Sequence, residues 1–428
     1  MKSRRRVKKW VKVVLVLILI VLLGLLIYDC FLSKSVLKSV PNKKKNVLEE
    51  IKEHYNEYVK TNKDSLLYDS NNNVVGKISK DVELSLEDTS INEKTIYFKI
   101  KDLDSKYYIK YTDVSTIKEL SLVDDRYKNY IVFNENVITK DKTLFYDNDD
   151  KLIYEIDSSF EFPIIIKDSN KYGVEYNNRL LYVKSDEVKE VKDNHNTDKT
   201  NSSGIGVLNY HAFYDENNAD EKANCTSEIC HSKSQFKSHL DYFKEKNILT
   251  LRMNEVEMYI DGKIKLPKSV LITIDDGDRT KIAIDLLTEY KMYATIFLIT
   301  SWFNPKDYYT TEYVELHSHG DDLHNPGVCP QGQGGAIQCL SEEELQKDLK
   351  ATREKLNNTT YFCYPFYEYN DYSIEMLKKA GFSMAFIGES GNSDNLVHVG
   401  SNKFKLRRFV IVTYTTLNDF DNYFGQIK

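Results

Sequence analysis

An apolar run that ends in two adjacent carboxylates constrains the fold of this chain more than any other stretch. The run covers residues 270–274, and Asp275, Asp276 and Gly277 follow it directly. A short apolar run that is bounded by turn residues predicts a buried strand. Because side chains alternate along a strand, the two carboxylates can take different roles, for example a metal ligand and a general base. The structural alternative is a turn or helix cap, where Asp-Gly pairs are common.

A cluster of histidines downstream favours the functional interpretation of these carboxylates. The cluster contains His317, His319 and His324, out of nine histidines in the chain. Neutral imidazoles beside a carboxylate suit a borderline divalent metal such as Zn²⁺. A site with three protein ligands and an open position can activate water. A polar surface loop is the alternative, although it explains an isolated histidine better than a cluster.

Two motifs in this region resemble the polysaccharide deacetylase family, which is carbohydrate esterase family four and contains the NodB homology domain. The first family motif is Thr-Phe-Asp-Asp-Gly, and residues 273–277 read Thr-Ile-Asp-Asp-Gly. The second is Ser-His-Thr-x-x-His, and residues 318–324 read Ser-His-Gly-Asp-Asp-Leu-His, with the last histidine one residue further away. Residues 209–211, Asn-Tyr-His, also resemble the Met-Tyr-His sequence near the start of many members. The resemblance implies an incomplete, distorted (β/α) barrel, an α/β fold that agrees with the alternation of predicted strands and helices.

The resemblance also assigns roles to the residues of both motifs. It implies that Asp276, His319 and His324 bind a divalent metal, for which Zn²⁺ is favoured and Co²⁺ or another divalent ion is the alternative. It further implies that Asp275 is the general base. A metal held there would activate water and stabilise the oxyanion that forms on an acetamide carbonyl. The reaction would release acetate and leave a free amine on the sugar.

The chain departs from the family at the third motif, which is normally Arg-x-Pro-Tyr-Gly. Residues 363–367 read Cys-Tyr-Pro-Phe-Tyr, so both the arginine and the glycine are replaced. We predict that Pro365 and Phe366 contact the substrate. The family arginine orients the general base, and Arg407 or Arg408 on the last predicted strand could take that role. We predict Arg408 as the catalytic residue of the two.

The fifth motif differs as well. It is normally Leu-x-Ile-x-His and supplies the general acid, but residues 406–412 contain no histidine. His398, which precedes the last predicted strand, and His211, at the start of the domain, are the two candidates for protonating the leaving amine. We predict His398 as a catalytic residue and His211 as a substrate-binding residue.

A basic and then apolar N-terminus predicts a membrane anchor. Lysine and arginine dominate residues 2–12, and an apolar run follows at residues 13–28. This run approaches the length that spans a bilayer, and the positive-inside rule places the N-terminus in the cytoplasm. A cleaved signal peptide is the alternative, but no Ala-x-Ala-like site follows the run. We therefore expect a single-pass cell-membrane protein whose later domains lie outside the cell.

The residue pattern between the anchor and the deacetylase-like region predicts strands. Short alternating runs such as residues 96–100 and 107–111 are separated by Asn and Asp turns. An internal repeat, in which residues 66–69 return as 144–147, predicts two small β-barrel-like modules. They weakly resemble tandem bacterial Src-homology-3-like modules, which often bind wall polymers in cell-surface proteins, and a rigid spacer is the alternative.

The predicted organisation is a basic tail and transmembrane anchor at 1–36, a stalk at 37–62, β modules at 63–122 and 123–190, a linker at 191–204 and the deacetylase-like domain at 205–428.

Cysteine spacing predicts two local disulfides. Cys225 and Cys230 flank a short turn, Cys329 and Cys339 flank a glycine-rich loop, and an extracellular location permits both bridges. Cys363 lies on a predicted buried strand, so a free thiol is expected there. Ligation of the metal by this thiol is the alternative.

Two classes of function fit these observations. The first is a metal-dependent N-deacetylase that acts on a cell-wall glycan, with peptidoglycan favoured and secreted poly-N-acetylglucosamine as the second choice. The other is a catalytically impaired relative that binds glycan, which the missing arginine and histidine support and the metal ligands and Asp275 oppose. The net charge of −6 gives no general attraction to nucleic acid. We expect a monomer that meets the membrane through its N-terminal helix.

Overall fold

The computed structural model of the chain describes residues 57–92, 95–101, 103, 106–121, 124–194, 201–388 and 394–427. The predicted membrane anchor, most of the predicted stalk and part of the predicted linker lie outside these ranges. Within them, no helix is both long enough and apolar enough to cross a bilayer. The described residues divide into two compact units, the first made of those up to 121 together with 151–157, and the second of 124–150 together with those from 158 onward.

The N-terminal half of the described chain consists of strands joined by turns and short 3₁₀ helices. In chain order the strands are β1 (Tyr58–Thr61), β2 (Ser65–Tyr68), β3 (Val74–Ile78), β4 (Glu83–Asn92), β5 (Thr95–Ile100), β6 (Tyr108–Lys110), β7 (Val114–Ile117), β8 (Glu135–Thr139), β9 (Thr143–Tyr146), β10 (Leu152–Ile156), β11 (Glu161–Pro163), β12 (Ile166–Lys167), β13 (Lys171–Tyr176), β14 (Arg179–Lys184) and β15 (Val188–Asp193). The alternating runs of this half therefore form strands, as their pattern predicts.

The first unit contains an antiparallel sheet with the strand order β10-β3-β2-β6-β5-β4-β1-β7. Leu67, Leu84 and Phe98 are fully buried in its core. Its boundaries differ from those of the first predicted module, because β1 begins before residue 63 and β10 belongs to the second predicted module. The reason is a long-range antiparallel pairing, in which Tyr154 of β10 lies opposite Ile78 of β3.

The second unit combines the remaining N-terminal strands with the C-terminal domain. Strands β11, β8 and β15 form one antiparallel sheet, and β12, β13, β14 and β9 lie side by side in another. Phe145 of β9 stacks on Tyr176 of β13, with 4.3 Å between the ring centroids. Arg126, before β8, forms a partly buried ion pair with Glu255 of the C-terminal domain at 2.5 Å. The two parts of this unit are therefore joined by a partly buried polar contact.

The C-terminal domain alternates strands and helices, as predicted. Its elements in chain order are β16 (Gly206–Tyr210), β17 (Ala212–Tyr214), α1 (Ala219–Asn224), β18 (Cys230–Ser232), α2 (Lys233–Glu245), β19 (Leu249–Thr250), α3 (Met253–Ile260), β20 (Ser269–Asp276), α4 (Lys281–Tyr290), β21 (Ala294–Leu298), β22 (Val314–Ser318), α5 (Glu342–Lys355), β23 (Tyr361–Cys363), α6 (Asp371–Lys379), β24 (Met384–Phe386), β25 (Phe409–Val410) and α7 (Leu417–Gly425).

The main sheet of this domain is parallel and is covered by helices. Its strand order is β24-β23-β22-β21-β20-β16-β25, with β19 also paired to β20. Residues 269–275 of β20 are all buried, which confirms the prediction of a buried strand. A parallel half-barrel of this kind fits the expected distorted (β/α) barrel. The last predicted strand, residues 406–412, is shorter than expected and is reduced to β25.

Both predicted disulfides are confirmed. Cys225 is bonded to Cys230 and Cys329 to Cys339, with Cα atoms 5.7 Å and 5.8 Å apart. Cys363 is a buried free thiol, as its place on a buried strand predicts. The second bridge closes the glycine-rich loop that follows the histidine cluster.

Candidate active site

The candidate catalytic and metal-binding side chains lie together at the carboxyl end of the parallel sheet. Asp275 and Asp276 end β20, His319 follows β22, Cys363 ends β23 and His211 follows β16. Parallel strands place their carboxyl ends along one edge of the sheet. Residues that are distant in sequence therefore come together there.

Three predicted ligands, Asp276, His319 and His324, form a group that fits a metal ion, and we call it the metal group. Asp276 Oδ1 lies 3.3 Å from His319 Nε2 and 3.4 Å from His324 Nε2. This oxygen is buried and has no hydrogen-bond partner in the described part of the chain. A buried oxygen without a partner is costly unless a cation satisfies it. One carboxylate with two imidazoles is a usual donor set for Zn²⁺, so the residues present fit a divalent metal.

The orientation of His319 is set by a backbone contact. Its Nδ1 donates to Cys363 O at 2.8 Å, which leaves Nε2 facing Asp276. A contact of this kind fixes the tautomer of a metal-binding histidine. Burial lowers the pKa of His319, but Cys363 and Asp276 outweigh burial and raise the pKa well above its usual value.

A tight turn follows the two carboxylates at the end of β20. Asp276 has a φ of 68° and Gly277 a φ of 103°. The φ of Gly277 is strained for any residue with a side chain, so the turn requires glycine at this position, and a Cβ there would also press on Leu298 Cδ1. Tyr308 Oη donates to Gly277 O at 2.9 Å and holds the turn in place. The backbone conformation therefore sets the direction of the Asp276 side chain. Backbone strain of this kind is common at functional sites.

Asp275 is held by an arginine. Arg408 Nη1 donates to Asp275 Oδ1 at 2.7 Å and Arg408 Nη2 donates to Oδ2 at 2.8 Å, and both side chains are buried. Arg408 also donates to Ile387 O and to Thr273 Oγ1. Burial raises the pKa of Asp275, but Arg408 outweighs burial and holds this pKa well below its usual range. The Asp275 carboxylate is therefore ionised and oriented at neutral pH.

Arg408 reaches the place of the missing family arginine. Cys363 stands where the third motif normally has arginine, and its Sγ lies 3.0 Å from Arg408 Nη2 and 3.4 Å from Asp275 Oδ2. Arg407, the other candidate, donates to Asp394 O instead. Cys363 and Asp275 lie close enough to share an ion with a histidine. Burial raises the pKa of the Cys363 thiol, and Arg408 occupies both oxygens of Asp275, so this second grouping suits a metal poorly.

His211 lies at the site. It follows β16, and its buried Nδ1 has no hydrogen-bond partner among the described residues. Burial lowers the pKa of His211, and the nearby carboxylates of Asp275 and Asp276 only partly offset this effect. A histidine that lies close to two carboxylates at the end of the sheet is a candidate for proton transfer.

His398 lies at the opposite edge of the sheet, so the prediction of a catalytic role is wrong. Its Nδ1 donates to Ser203 O and its Nε2 contacts Asp394 Oδ2, both at 2.6 Å. Its ring also lies against Gly204, which precedes β16. The prediction failed because residues before a parallel strand lie at its amino end, whereas the site is at the carboxyl end.

Aromatic side chains frame the metal group. Phe366 packs against His324 with 4.3 Å between ring centroids, and Trp302 contacts the same imidazole at 5.5 Å. Pro365 is buried and begins the 3₁₀ turn that carries Phe366. The structure therefore places Phe366 beside the site, with Pro365 behind it. Trp302 was not predicted, because no motif in the sequence marks it.

Tyr367 is a second residue that the sequence analysis missed. Its Oη donates to Asn209 Oδ1 at 2.6 Å, and its ring centroid lies 5.5 Å from the Arg408 guanidinium. Tyr367 has a φ of 61° at the position where the third motif normally has glycine. Positive φ costs glycine little and tyrosine more. The replaced glycine was therefore a signal that this position is structurally special.

Similarity to known proteins agrees with this geometry. Residues 262–385 match the model of the polysaccharide deacetylase family. This match supports a polysaccharide deacetylase domain of the NodB type in this part of the chain. The protein YxkH of Bacillus subtilis strain 168, named as a polysaccharide deacetylase, is 27% identical over 168 residues. The matched region covers 37% of this chain and 59% of YxkH, so less than two thirds of that relative is spanned.

Solved structures of deacetylases are also similar. A de-N-acetylase from Aggregatibacter actinomycetemcomitans is 20% identical, with a TM-score of 0.44 over 51% of this chain and 99% of that chain. IcaB from Ammonifex degensii is 23% identical, with a TM-score of 0.44 over 52% of this chain and 97% of that chain. The Streptococcus pyogenes deacetylase PplD, solved with acetate, is 17% identical, with a TM-score of 0.42 over 52% and 98%.

Substitution of the buried arginine tests the arrangement around Asp275. Arg408→Met should lower the free energy of unfolding by about 3–5 kcal/mol, because it leaves a buried carboxylate without its partner. Arg407→Met is the matched control and should cost about 1 kcal/mol or less, since its guanidinium makes one hydrogen bond to a backbone carbonyl. Urea unfolding of the three proteins measures the difference. Equal losses for the two variants would contradict the arrangement.

Proposed function

We propose that the C-terminal domain is a metal-dependent N-deacetylase of a glycan that contains N-acetylhexosamine. The observation that carries this proposal is the different surroundings of two adjacent carboxylates. Asp276 faces His319 and His324, whereas Asp275 is paired with Arg408. A module that only binds glycan has no need of an oriented, ionised base beside a metal group. The family match supports the same activity.

We favour Zn²⁺ as the metal, with Co²⁺ or another divalent ion as the alternative. Asp276, His319 and His324 would hold it, because a carboxylate and two imidazoles with an open position are typical of hydrolytic zinc sites. When bound, the metal supplies Lewis acidity to the acetamide carbonyl and to the attacking water.

The remaining steps belong to side chains of the chain itself. Asp275 would take the proton of the attacking water, with its carboxylate held in position by the two hydrogen bonds from Arg408. His211 would donate a proton to the nitrogen of the leaving amine. It is preferred over His398 for this role because it follows β16 at the carboxyl end of the sheet, where the charges of both carboxylates act on it, whereas His398 contacts the segment before that strand.

We further propose that the reaction takes place at the outer face of the cell membrane. Two disulfides in the C-terminal domain support an oxidising environment outside the cytoplasm. The sequence of residues 1–36 predicts the anchor that would hold the domain there. Peptidoglycan is the favoured substrate, and secreted poly-N-acetylglucosamine is the alternative. Deacetylation would add positive charge to the glycan and would weaken its attraction for cationic proteins.

Acetate release by the full-length, Zn²⁺-loaded chain tests the proposal. We expect release from peptidoglycan, and a loss of about 10²–10⁴-fold in Asp275→Asn because the general base is removed. Asp371→Asn, which changes a fully exposed carboxylate at the start of α6, is the matched control and should keep the original rate. Release by Asp275→Asn at the original rate would contradict the proposal. Release from chito-oligosaccharides alone would favour poly-N-acetylglucosamine as the substrate.

The choice of general acid has its own test. His211→Gln should lower kcat by about 10²-fold at unchanged metal content, because it removes the group that protonates the amine. His398→Gln should leave kcat unchanged, since His398 lies at the other edge of the sheet. Acetate assays with parallel metal analysis measure both quantities. A loss in His398→Gln without a loss in His211→Gln would reverse the assignment.

A further inference from the structure

Two consecutive residues with positive φ carry the aromatic side chains of the turn beside the metal group. Phe366 has a φ of 57° and Tyr367 a φ of 61°. Neither residue is glycine, so this backbone is costly unless the surrounding structure holds it. Phe366 packs against His324, and the Arg408 guanidinium lies over the ring of Tyr367. The position of this turn therefore affects the surroundings of a metal ligand.

Hydrogen bonds hold the turn from two sides. On one side, Tyr367 Oη donates to Asn209 Oδ1 at 2.6 Å. On the other side, the carboxylate of Glu368 accepts three hydrogen bonds from a single loop. The donors are Gln333 N, Gly335 N at 2.7 Å and Gln338 Nε2 at 2.9 Å. Because hydrogen bonds to a carboxylate are stronger than those between neutral groups, Glu368 ties the turn firmly to this loop.

The loop that holds Glu368 fits closely around its carboxylate and is closed by a disulfide. We call residues 327–340 the bridged loop, since Cys329 is bonded to Cys339 within it. Gly332 has a φ of 59°, and a Cβ there would meet Glu368 Oε1, so glycine allows the backbone to approach the carboxylate. Converging backbone N–H groups form an anion-binding site, which a side chain of the same chain fills here. The disulfide restricts the conformations of the loop and keeps these donors together.

The bridged loop also reaches the metal group through the apolar core. Its residues Ala336 and Ile337 are buried in one apolar cluster with Leu323, the residue before His324. Both Ile337 and Leu323 are fully buried. A movement of the loop would therefore change the surroundings of His324 on two sides, through Leu323 and through Phe366.

We propose that Glu368 is a positioning residue of the metal group and that it keeps this role only while the bridge between Cys329 and Cys339 is closed. Glu368 acts through Phe366, whose ring packs against the imidazole of His324. The inference rests on the proposed metal-dependent function and adds a condition to it, which is an oxidising environment. Loss of a group that orients a metal ligand usually weakens metal binding about 10–100-fold.

A thiol reductant would remove the support that Glu368 provides. Two equivalents of the thiol reduce the bridge to the Cys329 and Cys339 thiols and are joined in a disulfide themselves, which is a two-electron exchange. The open loop then no longer holds its donors around Glu368. Without this anchor, Phe366 and Tyr367 relax toward the negative φ that residues with side chains prefer. The ring of Phe366 then leaves the imidazole of His324.

The affinity of the full-length chain for Zn²⁺, measured by competition with a chromophoric chelator, tests the positioning role. Glu368→Gln keeps the size of the side chain but replaces one acceptor oxygen with an NH₂ group that faces the donors of the loop. We expect Zn²⁺ binding to weaken about tenfold. We also expect the visible absorption spectrum of the Co²⁺-loaded chain to change, because this spectrum depends on the geometry of the ligands.

Glu344→Gln is the matched control for this variant. Glu344 also accepts a backbone N–H, that of Ser341, but does so in the exposed cap of α5. The control should lower the stability of the helix cap and leave both the Zn²⁺ affinity and the Co²⁺ spectrum unchanged. A purely structural role of Glu368 predicts the same result for the two variants.

Removal of the bridge provides the second measurement. The Cys329→Ser/Cys339→Ser chain should bind Zn²⁺ about tenfold more weakly, and adding Glu368→Gln should weaken binding little further, since both changes remove the same support. The Cys225→Ser/Cys230→Ser chain is the control and should keep its affinity, because that bridge joins the segment after α1 to β18. Reduction of this control with a thiol, followed by alkylation of the released thiols, should then lower its affinity about tenfold. The same treatment should not change the Cys329→Ser/Cys339→Ser chain.

The outcomes separate this inference from the proposed function. Unchanged Zn²⁺ affinity and an unchanged Co²⁺ spectrum in Glu368→Gln, or equal losses in Glu344→Gln, would overturn the positioning role and leave the deacetylase in place. A loss in Glu368→Gln with full affinity after the bridge is opened would overturn the dependence on the disulfide. The expected losses of affinity in a chain that releases no acetate would support the positioning role and contradict the deacetylase. A failure of the unchanged chain to bind Zn²⁺ or Co²⁺ would overturn both.

Discussion

A buried ion pair between Asp275 and Arg408 determines how the rest of the site is arranged. Two hydrogen bonds join the carboxylate to the guanidinium, which also donates to Ile387 O and Thr273 Oγ1. Burying two charges is costly unless the geometry and the hydrogen bonding are as complete as this. The pair ties the carboxyl end of β20 to the segments around β24 and β25. The strands that carry the site are therefore connected to one another through the hydrogen bonds of Arg408.

The same pair gives two neighbouring carboxylates different chemistry. Arg408 occupies both oxygens of Asp275 and keeps this carboxylate ionised, so Asp275 suits the role of a positioned base. Asp276 is turned by its positive φ and presents a free oxygen to His319 and His324. Residues of one type usually take two functions in a site because their partners and solvent exposure differ.

The parts of the site that are contiguous in sequence were predictable from spacing. The carboxylates, the histidine pair that includes His319 and both disulfides were found in this way. Arg408 was one of two candidates, because only the folded sheet shows which of two adjacent side chains points inward. His398 was misplaced because proximity to a strand in sequence does not tell which edge of the sheet a residue joins. Trp302 lies on a turn that belongs to no motif, and Tyr367 replaces the glycine of the third motif, so the structure is needed to bring both side chains to the site.

The separate roles of the two carboxylates can be seen directly by anomalous diffraction at the zinc absorption edge, from a crystal of the Zn²⁺-loaded chain. We predict one peak at about 2.0–2.2 Å from Asp276 Oδ1 and from the Nε2 atoms of His319 and His324. Asp275 should remain paired with Arg408 in the same crystal. A peak bonded to Asp275 and Cys363 would contradict the account, because the proposed base would then be a metal ligand.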